Sequence, residues 1–85
     1  MKIYTIKDCK SQTYQGVYTA VNDGIMIRNA QSEFNSHKLG VINDFPEDFS
    51  IFCVGEMDEL TGVIAPHVDF VKNFTDFLEV SKNAR

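Results

Sequence analysis

The sequence predicts an α+β fold: a small antiparallel β-sheet of about four strands, in the order β-β-α-β-β-α, packed against two helices. Three observations carry this expectation. Short runs of β-branched and aromatic residues alternate with polar or glycine-bearing turns. Two longer segments, near Met26–Phe34 and Phe70–Leu78, repeat apolar residues at helical spacing. The chain has 85 residues and is 44% apolar, which suits one ordered domain, residues 1–85, and leaves no room for a second core.

The first run, Lys2-Ile3-Tyr4-Thr5-Ile6, reads as a strand bounded by the polar stretch 7–13. Tyr14–Val21 is a weaker strand, because Gly16 offers no side chain to pack. Asn22-Asp23 is a helix-start signal, and Met26, Ile27, Ala30 and Phe34 continue it as a helix over about 22–35. Residues 36–45 read as a connector. Pro46-Glu47-Asp48-Phe49 sets a turn of helix, since proline fixes φ where its missing N–H costs nothing. Ser50–Val54 is apolar on both parities and reads as a central strand covered on both faces. Asp58-Glu59-Leu60-Thr61-Gly62 closes a hairpin, with Gly62 supplying positive φ. Val63-Ile64 returns as a short strand that Pro66 ends. Phe70, Val71, Phe74, Phe77 and Leu78 then form one broad apolar face of a helix over about 69–80, with a frayed tail over 81–85.

Charge is distributed unevenly. Residues 1–38 hold Lys2, Lys7, Lys10, Arg28 and Lys38 against Asp8, Asp23 and Glu33, a net of +2. Residues 39–71 hold no lysine or arginine and seven carboxylates, Asp44, Glu47, Asp48, Glu56, Asp58, Glu59 and Asp69. The chain as a whole carries −4, which disfavours non-specific binding to nucleic-acid phosphates. Cys9 and Cys53 belong to no CxxC pair and read as reduced thiols of a cytosolic protein. The opening MKIYTIKD is too short and too alternating for a secretory signal, and no apolar run approaches membrane-spanning length. No membrane contact is expected.

No catalytic pattern emerges. The chain lacks a Walker loop, a dinucleotide-binding glycine motif, HExxH and GxSxG. His37 and His67 lie thirty positions apart, with no metal-ligand spacing to either cysteine. Glu47-Asp48 and Asp58-Glu59 are sequence neighbours whose side chains diverge, which makes them poor acid–base pairs. The loop 56–62 lacks the ligand alternation of a calcium site and reads as a solvated turn. The expectation is a non-enzymatic protein with no metal and no cofactor.

Three sets of candidate residues remain. Lys2, Tyr4, Lys7, Lys10, Tyr14, Tyr18 and Arg28 combine aromatic and basic groups on the first hairpin and helix, as a single-stranded nucleic-acid surface would; half-buried strand tyrosines and solvating lysines explain the same residues. Asp44, Glu47, Asp48, Glu56, Asp58 and Glu59 form an acidic stretch suited to a basic protein partner. Phe70, Phe74 and Phe77 offer more apolar surface than a small monomer can cover, which predicts a homodimer through the final helix.

Pro46-Glu47-Asp48-Phe49, Val54-Gly55-Glu56, Asp58-Glu59-Leu60-Thr61-Gly62 and Pro66 follow one another in a register that resembles the small nonstructural protein of gokushovirus-type microviruses, which are single-stranded DNA bacteriophages. Asn22-Asp23-Gly24-Ile25-Met26-Ile27-Arg28 and the opening MKIYTIKD are similar to that family too. The chain departs from the family at Met26, Ala30 and Phe45, where alanine, phenylalanine and histidine are usual, and its C-terminal segment falls outside the match. The resemblance implies a phage accessory protein of the host bacterial cytoplasm, absent from the mature virion. It implies a role in single-stranded DNA genome replication or packaging, through binding single-stranded DNA. A protein-interaction adaptor, whose acidic end at 44–59 meets a basic viral or host protein without touching DNA, is the alternative expectation.

Overall fold

The computed structural model describes residues 1–78. Strand β1 (Lys2–Asp8) and strand β2 (Thr13–Ala20) form a hairpin, followed by helix α1 (Asp23–Asn35). A short helix α2 (Val41–Asp44) and a 3-10 turn (Pro46–Asp48) lead into strand β3 (Phe49–Met57), which returns as strand β4 (Ile64–Asn73). The sheet order is β2-β1-β3-β4, and every pairing is antiparallel. A four-stranded antiparallel sheet with helices on one face is the α+β fold expected.

Local chemistry explains the element boundaries. The Asn22 side chain accepts a hydrogen bond from the Ile25 N–H at 2.9 Å and caps α1, while Asp23 sits in the positively polarised first turn. In the β3–β4 turn, Asp58 Oδ1 accepts the Leu60 N–H at 2.8 Å, the Gly62 N–H donates to the Asp58 carbonyl at 2.7 Å, and Gly62 has φ 78°. This is the turn its residues predict. Asp8 serves the β1–β2 turn in the same way, accepting the Lys10 N–H at 2.9 Å.

The core lies between α1 and one face of the sheet. Tyr4 and Ile6 of β1, Phe49, Ile51 and Cys53 of β3, and Met26, Ala30 and Phe34 of α1 are all buried there, with Leu39 and Ile42 packed at its margin. Phe74 and Phe77 complete it: their rings lie 5.4 Å apart, and 6.0 and 5.9 Å from Phe34.

The structure corrects three sequence expectations. The return strand does not end at Pro66. β4 runs ten residues, through Pro66 and on to Asn73. Residues 69–73 are therefore strand, not helix; a helical turn occupies 75–78, and positions 79–80 of the expected helix and the tail 81–85 lie outside the described residues. The physical reason is backbone satisfaction. β3 is nine residues long, and a two-residue partner would leave most of its N–H and C=O groups on that side unpaired. Pro66 is tolerated because β4 is an edge strand. Finally, β3 is central, but its described helices pack on one face only; on the other, Ser50 is buried and Phe52 half-buried by neighbouring strand side chains, Tyr14 and Phe70 among them, rather than by a second layer.

Candidate nucleic-acid interface

Strand alternation sorts the candidate residues onto two faces. Tyr4 is fully buried on the helix side, and its hydroxyl donates to Asp23 Oδ1 at 2.6 Å. Lys2, two residues earlier, points the same way and places its ammonium 3.6 Å from the same carboxylate. Burial, and then the bond to Asp23, pushes the Tyr4 phenol well above the usual tyrosine value. Tyr18 pairs with Tyr4 across β1–β2 and also lies on the helix side. There it lines a groove with Met26, Ala30 and Phe74, and its ring rests on Gly16. Gly16 has φ 80°, and a Cβ there would meet the Tyr18 hydroxyl oxygen at 2.6 Å. Arg28 stands on α1. Lys10 stands in the β1–β2 turn, exposed.

The basic and aromatic set is therefore divided. Lys2, Tyr4, Tyr18 and Arg28 belong to the helix layer, and Tyr4 is unavailable to any ligand. Only Lys7 and Tyr14, which pair directly across β1–β2, stand together on the open face. What joins them there was hidden in the sequence. The Tyr14 ring lies 5.7 Å from Phe52 of β3, and Phe52 lies 5.8 Å from Phe70 of β4, both edge to face. The Lys7 ammonium sits over both Tyr14 and Phe52, 5.7 and 5.9 Å from their centroids. The result is a stripe across the sheet: an outer ring, a lysine, a central ring and a second outer ring. Tyr14 and Phe70 are 49% and 55% exposed. The sequence reads Phe52 as part of a doubly covered strand and Phe70 as part of a helical dimer face, so nothing in it joins the two on one sheet surface.

The electrostatics of this face differ from those of the whole chain. The strands contain three carboxylates, Asp8, Glu56 and Asp69. Asp8 pairs with the buried Phe49, Glu56 with Lys2, and Asp69 with the buried Cys53, so all three belong to the helix side. The open face carries Lys7 and no strand carboxylate. Asp23 and Glu33 lie on α1, and most of the other acids gather at the two ends of the sheet. Asp44, Glu47 and Asp48 precede β3, and Glu56 near its far end is followed by Asp58 and Glu59, where Glu59 meets the N-terminal ammonium at 3.4 Å. At about 3.3 Å per residue, β3 holds the two groups roughly 25 Å apart. The acidic residues of the stretch 44–59 therefore stand in two groups, one at each end of β3.

Of the expected dimer residues, Phe74 and Phe77 are 0% and 1% exposed inside the protomer, so they cannot form an interface; Phe70 alone faces solvent. The apolar excess that predicted a dimer is largely absorbed by the core around Phe34. Among the described residues, no group of three or more His, Cys, Asp or Glu side chains is placed to hold a metal, and no helix is long and apolar enough to cross a membrane. Cys9 is exposed and Cys53 buried, and both are free thiols.

A family model described as phage ORF5 protein matches residues 1–77. No curated protein and no solved structure matches the chain significantly.

Proposed function

The chain belongs to the phage ORF5 protein family, and from that premise we propose that it is a non-enzymatic accessory protein of genome replication or packaging in a single-stranded DNA phage, and that it binds single-stranded DNA on the open face of its sheet. The observation that carries this reading is the segregation of charge. An acidic chain keeps every strand carboxylate on the helix side and leaves Lys7, half-buried, among aromatic rings on the other. A phosphate backbone is repelled by the two acidic ends, and across the middle of the open face it meets a cation with no strand carboxylate beside it, whereas Lys2 on the helix side faces Asp23. The adaptor reading draws less support, since the acids it needs stand at opposite ends of β3.

The test is a titration of the protein against a labelled oligothymidylate at several salt concentrations. Binding should weaken as salt rises, and Lys7→Gln should reduce the slope of log affinity on log salt by roughly 0.7, the contribution of one single-strand phosphate contact. No binding at low salt, or a slope that Lys7→Gln leaves unchanged, contradicts the reading.

A further inference from the structure

Resting on that reading, we propose that the face recognises unpaired bases rather than the sugar–phosphate backbone alone: Tyr14 and Phe70 are two stacking surfaces, Phe52 is the brace that fixes their orientation, and the ligand is single-stranded DNA in preference to duplex.

The geometry of the rings assigns these roles. Phe52 stands nearly perpendicular to both neighbours, at interplanar angles of 87° to Tyr14 and 80° to Phe70. Edge-to-face contacts of this kind orient aromatic side chains beyond what area burial does. Phe52 comes from the central strand β3 and is less exposed than either outer ring. Tyr14 and Phe70 come from the two edge strands, and each retains about half of its surface free to meet a base. A base stacks on an aromatic face whatever its identity, so such a site tolerates sequence and rejects duplex, whose bases already stack on one another. Lys7 stands between the two stacking surfaces, over the Tyr14 and Phe52 rings, where the phosphate linking two splayed bases would pass. The occupant follows from charge: a second copy of this chain would bring its own Lys7 against this one, and the open face offers no strand carboxylate to receive it.

The experiment compares three ligands of equal length: an oligothymidylate, the same backbone with abasic sites, and a duplex. The chain contains no tryptophan, so Phe70→Trp installs a single reporter at one stacking surface. The expected result is that the oligothymidylate quenches this reporter and binds at least about ten-fold more tightly than the abasic strand. Tyr14→Ala and Phe70→Ala should each weaken oligothymidylate binding by roughly ten-fold without altering the salt slope, and Tyr14→Phe should retain binding. Thermal melts of the alanine variants separate lost stacking from lost fold, and the Trp reporter tests stacking without truncating a side chain. Equal affinity for the abasic strand or the duplex overturns base stacking and leaves DNA binding standing. Absence of binding to all three ligands overturns the proposed function and this inference together; light scattering in which wild type is a dimer and Phe70→Ala a monomer would then assign the face to a second copy.

Discussion

At the scale of single residues, the chain spends its tyrosines in three different ways. Tyr4 is structural: it is buried, and its hydroxyl ties β1 to the first turn of α1 through Asp23. Its phenol holds the proton more tightly in the folded state than in the unfolded chain, where the value is about 10. Stability from this group is therefore complete below about pH 10 and is lost as pH rises toward the folded value. Tyr4→Phe should cost roughly 1–2 kcal/mol near neutral pH through the lost hydrogen bond, and should flatten the alkaline fall in stability, as followed by urea melts from neutral pH upward. Tyr18 covers Gly16 on the helix side. Tyr14 alone meets solvent with a cation beside it. Nothing in the sequence separates these roles, because strand parity is interrupted by a bulge between Tyr4 and Ile6, where Gly16 adopts positive φ.

At the scale of elements, helix α1, its Asn22 cap, the proline turn and the Asp58–Gly62 hairpin were all legible, because each rests on local chemistry. β4 was not. Phe70, Val71, Phe74 and Phe77 satisfy a helical period, yet the first two belong to a strand and the last two follow it. Pairing with the full length of β3 outweighed the local pattern, since periodicity carries no information about what a neighbouring strand needs. For the same reason the sequence does not bring Phe52 and Phe70 together: they become neighbours on one face only once β4 is known to pair with β3 as an edge strand. The strand assignment separates two phenylalanines that a helix would bury together. Phe74→Ala should cost about 3–5 kcal/mol in urea denaturation, as a truncation in the core, whereas Phe70→Ala should cost less than ~1 kcal/mol. Similar losses at both positions would restore the helix.

At the scale of the whole molecule, the arrangement reconciles the composition with the proposed role. A net charge of −4 argues against contact with nucleic acid when it is spread evenly, but here it is not. Carboxylates occupy the two ends of the sheet and the helix side, and the open face keeps one lysine among three rings. Acidic ends also limit the face to a short length of chain, because a long polyanion running past the sheet would meet them. On the proposed reading, such a site suits sequence-tolerant contacts with a short single strand more than coating of a genome. The most direct test of this account is a map of amide chemical-shift changes as a short oligothymidylate is added to isotope-labelled protein. The changes should centre on Lys7, Tyr14, Phe52 and Phe70 and spare Arg28 and the exposed side of α1. Changes centred on α1, or none at oligonucleotide concentrations well above that of the protein, would contradict it.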